Sequence, residues 1–277
     1  MIRRWSLPLI AIGATLSALV AAGPASATPA AHPAGHPAVT ALGDGSQPGG
    51  VMIRAAGARA QARGGQTTDE STNWSGYALS GSNGEFTSVS ASWTEPTVTC
   101  SSSRGRSSET FSSFWVGLDG FSSDSVEQTG TEADCDGRTP DYFGWYEMFP
   151  ADPVNFSNTV EPGDSFSASV TFSGTETFTL VLTDHTQGWT QDITQNQTGL
   201  DRSSAEVITE APSSESGVLP LADFGTVKFS ASSVDGTSLG TQSPTEIVMI
   251  DNNNEDKDST SSISSAGAFS NTWIRSN

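Results

Sequence analysis

Histidine, cysteine and positive charge are all scarce in this chain. Its 277 residues include three His, two Cys and twelve Lys plus Arg, against thirty-one Asp plus Glu, for a formal net charge of −19. Two of the histidines, His32 and His36, fall in a Pro-rich leader. That leaves His185 in "LTDHTQGW", a hairpin-like turn where a solvated imidazole is the ordinary role. One imidazole with no G-x-S-x-G elbow gives a Ser-His-Asp hydrolase no support. The H-E-x-x-H spacing of zinc hydrolases is absent, so no metal site is expected. Paired D-[ST]-G aspartates are missing too: Asp119 is followed by Gly120, and Asp164 by Ser165 without the glycine.

The shortage of Lys and Arg also bears on partners. From Asp69 to Asn277 only Arg104, Arg106, Arg138, Arg202, Lys228, Lys257 and Arg275 oppose thirty carboxylates. Such a surface repels nucleic acid and anionic lipid, and neither is expected as a partner. The acidic excess fits two roles equally, solubility at neutral pH and work in acid, where protonation relieves self-repulsion. Past the N-terminus no run approaches the ~20 apolar residues of a membrane helix.

What is present divides the chain into three. Residues 1–27 read as an export signal: Arg3 and Arg4, an apolar stretch from Leu7 to Ala22, and Ala25-Ser26-Ala27 as cleavage site. Residues 28–68 are rich in Ala, Gly and Pro, with Asp44 against Arg54, Arg59 and Arg63, a composition that resists forming its own core. They read as a pro-segment, disordered or inhibitory. Residues 69–277 read as one large domain of a secreted, extracellular and monomeric protein. Export favours a disulfide between Cys100 and Cys135, a staple worth roughly 3–4 kcal/mol in the chain-entropy model.

Within 69–277 short apolar runs alternate with Ser, Thr, Gly and Asn clusters, and no segment keeps a helical period for three turns. "TSVSASWTEP" sets Val89, Ala91 and Trp93 on one face, "SFSASVTFSG" sets Phe166, Ala168, Val170 and Phe172, and "TFTLVLTD" sets Phe178, Leu180 and Leu182. Further strands are expected at 114–118, 144–149, 205–210, 226–230 and 246–250. This spacing predicts an all-β, antiparallel sandwich of jelly-roll type. "DNNNEDKD" at 251–258 reads as a polar turn, with calcium binding as the rival reading. Asn73, Asn155 and Asn196 lie in N-x-[ST] sequons.

With imidazole, thiol and metal chemistry unsupported, carboxylates and amides remain. A carboxylate can take a proton from water and return it to a leaving group. A side-chain amide N–H can hold the oxyanion, at roughly 3–4 kcal/mol per donor. In "AEVITE", Ala205 and Val207 facing a core would turn Glu206 and Glu210 toward the opposite face; alternation does not decide which of the two reacts.

Six motifs in order, "NWSGYALSG" (73–81), "VSASWTEP" (89–96), "FWVGLDG" (114–120), "EQTGTEADC" (127–135), "YFGWYEMFP" (142–150) and "AEVITEAP" (205–212), resemble the eqolisin family of glutamic peptidases, and "TEIVMID" fits as well. The resemblance implies an acid endopeptidase on a concanavalin-like sandwich of two seven-stranded sheets, acting on protein or peptide substrates without a cofactor. The glutamine of the Q-T-G motif falls on Gln128 and the second glutamate of A-E-x-x-x-E on Glu210, the catalytic pair. Trp74 and Trp115 would line the substrate cleft, with Asp119 and Glu147 as supporting acids near it. Phe143-Gly144 replaces the small or acidic residue that relatives place before W-Y-E, so subsite preference does not carry over. A lectin-like carbohydrate module, with Trp145, Tyr146 and Trp189 as stacking rings, or a glycosidase are the rival readings.

Overall fold

The computed structural model describes residues 49–55, 61–63, 66–101 and 109–277. The signal and the leader up to residue 48 lie outside the described residues. Thirteen strands of five or more residues form the frame: β1 (Gln66–Ser71), β2 (Trp74–Ser80), β3 (Ser88–Thr94), β4 (Ser113–Asp119), β5 (Val126–Asp136), β6 (Thr139–Phe149), β7 (Ser165–Phe172), β8 (Thr177–Asp184), β9 (Trp189–Asn196), β10 (Ser204–Glu210), β11 (Thr226–Val234), β12 (Thr245–Met249) and β13 (Phe269–Trp273). One sheet runs β1-β12-β2-β10-β4-β5-β6; short strands at Gln61–Arg63, Glu109–Thr110 and Val154–Asn155 extend it. The other runs β9-β8-β7-β3-β11-β13 and ends on Asp258–Thr260. Seven of the thirteen lie in the first sheet and six in the second, in the expected antiparallel sandwich. The pairing is antiparallel except that β1 lies parallel to β12. The strand β1 runs through the 68/69 boundary between leader and domain.

The second sheet follows the alternation of its sequence. Val89, Ala91 and Trp93 of β3 stand opposite Val170, Ala168 and Phe166 of β7, and Leu182 and Leu180 of β8 continue the rows. Their buried faces meet the first sheet, with polar Ser and Thr turned outward. At the centre Trp93 contacts Phe166 and Phe229 at ring separations of 6.0 and 5.9 Å, and its Nε1 donates to Thr131 Oγ1 at 3.0 Å. A core indole of this kind is worth ~3–5 kcal/mol against alanine. The Cys100–Cys135 disulfide is formed, tying the loop after β3 to the end of β5.

The first sheet behaves differently. Strands β4 and β10 are buried at every residue, and β5 at all but its last. One face packs on the second sheet through Phe114, Val116, Leu118, Ala205 and Val207. The other carries a separate apolar cluster of Trp74, Trp115, Val126, Trp145 and Ile208, joined by Met52 from the leader. The turn at 251–258 is polar, as read: Asp251 Oδ1 accepts from Asn253 N and Glu255 N at 2.7 and 2.9 Å. Among the described residues no cluster of acidic, His or Cys side chains suits a metal ion, and no helix is long and apolar enough to cross a membrane.

Candidate active site

Register decides which side chains share the outer face of the first sheet. Gln128 of β5 stands opposite Gly117 of β4, which stands opposite Glu206 of β10. Four residues along, Glu132, Ser113 and Glu210 form a parallel row, ending on Trp74 of β2. Between the two rows lie Trp145, Gly130, Trp115 and Ile208. With a side-chain period of two, Gln128, Glu147, Trp115, Trp74, Glu206 and Glu210 therefore all face the same way. Gly130 of the Q-T-G stretch is fixed by close approach, since a Cβ there would meet the Phe114 carbonyl at 2.2 Å and Trp115 Cβ at 2.5 Å.

Gln128 and Glu210 are wholly buried. The Gln128 Nε2 donates to Glu147 Oε2 at 2.6 Å, leaving its second N–H and its Oε1 for other partners. Burial pushes the Glu147 carboxyl up to about 8, against the bonds it accepts from Gln128 and from Gly50 N. It is therefore protonated throughout the acid range, and accepts through its carbonyl oxygen. Glu210 receives two donors, Trp115 Nε1 on Oε2 at 2.9 Å and Asn73 Nδ2 on Oε1 at 3.2 Å. Burial, and next the negative field of Glu147, hold Glu210 well above the usual carboxylate range; the two donors pull the other way. Glu147 thus bonds to the amide and acts electrically on the carboxyl. Gln128 and Glu210 thus share the outer face of the sheet, four residues apart along strands that flank β4.

The sequence-predicted residues take distinct places. Trp74 and Trp115 line this face and meet edge-on, with ring centres 4.8 Å apart. Glu147 sits against Gln128. Asp119 is a support of another kind: it ends β4 at φ 70°, and its carboxylate accepts from Arg202 N at 2.6 Å and Ser203 N at 2.8 Å, so it fixes the entry of β10. Two residues escaped the sequence reading. Glu132, beside Ser113, lies close enough to Glu210 to feel its charge. Asn73 was legible only as a sequon; buried and bonded to Glu210, it offers no free amide to a glycan. Its place next to Trp74 in the opening motif was the available signal.

Substituting Glu147 separates geometry from charge. Glu147→Gln keeps a neutral acceptor for Gln128 Nε2, so kcat at acid pH is expected to stay within about tenfold of wild type. Glu147→Leu frees the amide to rotate and is expected to raise the barrier by a further ~1–2 kcal/mol, lowering kcat about five- to thirtyfold. Steady-state hydrolysis of one peptide by the three chains checks this.

A model of the peptidase A4 family matches residues 72–273, nearly the whole sandwich. The chain belongs to this family, the eqolisins. Solved structures agree: a scytalido-glutamic peptidase bound to a transition-state analogue inhibitor is 30% identical, with TM-score 0.61, over 73% of this chain and 98% of that one. A second eqolisin, SCP-B, in complex with the tripeptide Ala-Ile-His, is 29% identical over the same shares, with TM-score 0.58. The aspergilloglutamic peptidase of Aspergillus niger is 26% identical, with TM-score 0.54, over 60% of this chain and 99% of that one. No curated protein sequence matches with comparable significance. As an eqolisin the chain is a glutamic endopeptidase, and the carbohydrate readings fall away. Their stacking rings are also spent: Trp145 is fully buried, Tyr146 stacks on Phe156, and Trp189 packs on Phe166.

Proposed function

We propose that this eqolisin is a secreted, acid-acting endopeptidase whose catalytic pair is Glu210 and Gln128, made from a precursor in which residues 28–68 are the pro-segment. What supports the pair is that Gln128 and Glu210 are both buried on one face of the first sheet, with Glu147 bonded to the Gln128 amide and Trp115 and Asn73 donating to Glu210.

In this mechanism ionised Glu210 takes a proton from a water placed between it and Gln128 Oε1. The water oxygen attacks the scissile carbonyl, and the free N–H of Gln128 holds the developing oxyanion, at roughly 3–4 kcal/mol for such a donor. Protonated Glu210 then gives its proton to the leaving nitrogen as the C–N bond breaks. Glu147 stays neutral in acid, which removes a nearby charge that would oppose ionisation of Glu210. Trp115 and Asn73 hold the Glu210 carboxylate in place. Burial is the main cause that raises Glu210, and water reaching the carboxyl lowers that cost; activity is expected in acid, at roughly pH 2–5.

Casein digestion by the purified chain tests the class. Cleavage at acid pH that persists with metal chelators present is expected. An optimum at neutral pH, or loss of activity on chelation, would contradict it.

A further inference from the structure

Residues 49–55 lie across the residues just described. Gly50 N donates to Glu147 Oε2 at 3.1 Å, and Gly49 rests so close to the amide that a Cβ there would stand 2.3 Å from Gln128 Nε2 and 2.5 Å from Glu147 Oε2. Gly49 has φ +82°, a backbone state that a side chain would also strain. The chain then passes to the other half of the site. Val51 O accepts from Asn73 Nδ2, the same nitrogen that holds Glu210 Oε1. Ile53 N donates to Asn73 Oδ1 at 2.7 Å and Met52 N to Gly120 O at 3.1 Å. Met52 is buried in the apolar cluster of Trp74, Trp115 and Phe121. Arg54 pairs with Asp69 and lies 4.9 Å over the Phe121 ring. Peptide 49–51 thus runs from the Gln128 amide to the Asn73 amide that holds Glu210.

From this path we infer that Gly49–Arg54 is a built-in inhibitor of the peptidase, a peptide bound in the cleft of its own chain, with Gly49-Gly50 excluding water and substrate from Gln128 and Met52 as its anchor. The inference rests on Gln128 and Glu210 as the catalytic pair and goes further: it assigns the block to six residues out of the long leader and gives a steric reason for glycine. A side chain at 49 would collide with the buried amide and carboxyl.

The full-length chain tests it with two readouts. In the wild-type chain the amides of Gly50, Met52 and Ile53 are bonded and are expected to exchange slowly with deuterated solvent near neutral pH; hydrolysis of an added peptide on acidification begins only after a lag. In Gly49→Leu these amides exchange faster and hydrolysis starts without the lag, with an initial rate raised at least about tenfold by release of the occluded site. Met52→Asn leaves both glycines in place and removes the anchor; it is expected to do the same, and serves if Gly49→Leu does not fold. Unchanged exchange and an unchanged lag in both variants would overturn the inference. So would a wild-type chain that works at full rate with residue 49 still attached. Failure of the catalytic pair looks different: Glu210→Gln would then still cleave peptide, whatever the exchange data show.

Discussion

Glu210→Gln is expected to abolish hydrolysis at acid pH, and Gln128→Ala to lower kcat by about 10²–10³ with little change in KM. The two effects differ because the two groups do different work. Glutamine at 210 still accepts from Trp115 Nε1, so the fold of the cleft survives, yet it neither takes the proton from water nor returns it to the leaving nitrogen. Alanine at 128 leaves the proton acceptor in place and removes the N–H that meets the oxyanion together with the Oε1 that helps hold the water. The Gln128 partner Glu147 is buried and neutral in acid, so its loss of one donor costs far less than exposing a charge. Initial rates on a single peptide at acid pH, with folding verified by near-UV circular dichroism, provide the check. Near-wild-type rates in either chain would reject the pair.

The second large effect concerns stability. Several carboxyls are interior: burial raises Glu95 and Glu147 to about 8, Glu127 to about 9 and Asp258 to about 7, and lifts Glu132, Glu206 and Glu210 as well. For each of these acids the folded state holds its proton to higher pH than the unfolded chain. Below about pH 4 both states are protonated and nothing is lost. As pH climbs, the unfolded chain ionises first, so the folded state loses up to ~1.4 kcal/mol per unit of raised pKa until its own groups ionise. Net stabilities of ~5–15 kcal/mol do not absorb many such losses. The chain is therefore expected to be most stable below about pH 4.5, and to weaken steadily toward pH 8 and unfold at room temperature by about pH 9. Lys257, lowered to about 8 by burial, changes nothing below that pH. Urea unfolding at a series of pH values decides: a midpoint that stays flat or rises from pH 4 to 7 would contradict it.

These acids also show where sequence reading stops. The acidic excess was legible as a count, and it suggested repulsion at a surface. Glu95, however, is interior, bonded to Thr131 Oγ1 at 2.6 Å, and Glu206 is buried on the cleft face. A formal charge does not say whether its carboxyl is solvated. The second sheet was readable because one of its faces meets water, so Val89, Ala91 and Trp93 alternate with serines. In β4 and β10 both faces are covered, and the outer one carries polar groups, so alternation alone left Glu206 and Glu210 equivalent. The ordered motifs point to Glu210, and in the structure Trp115 and Asn73 donate to it. Gly49–Ala55 was hidden for another reason. Its composition placed it in a pro-segment without marking which residues of that segment matter, since its partners, such as Glu147, lie 97 residues from Gly50.

The central claim is that one amide and one carboxyl act on the same water as a single unit. A double-mutant cycle in kcat/KM over wild type, Gln128→Ala, Glu210→Gln and the double variant measures that directly at acid pH. A shared task predicts that the double variant is no slower than Glu210→Gln alone, because the oxyanion donor has nothing left to stabilise. Losses that simply multiply would mean two independent sites of action, and would contradict the account.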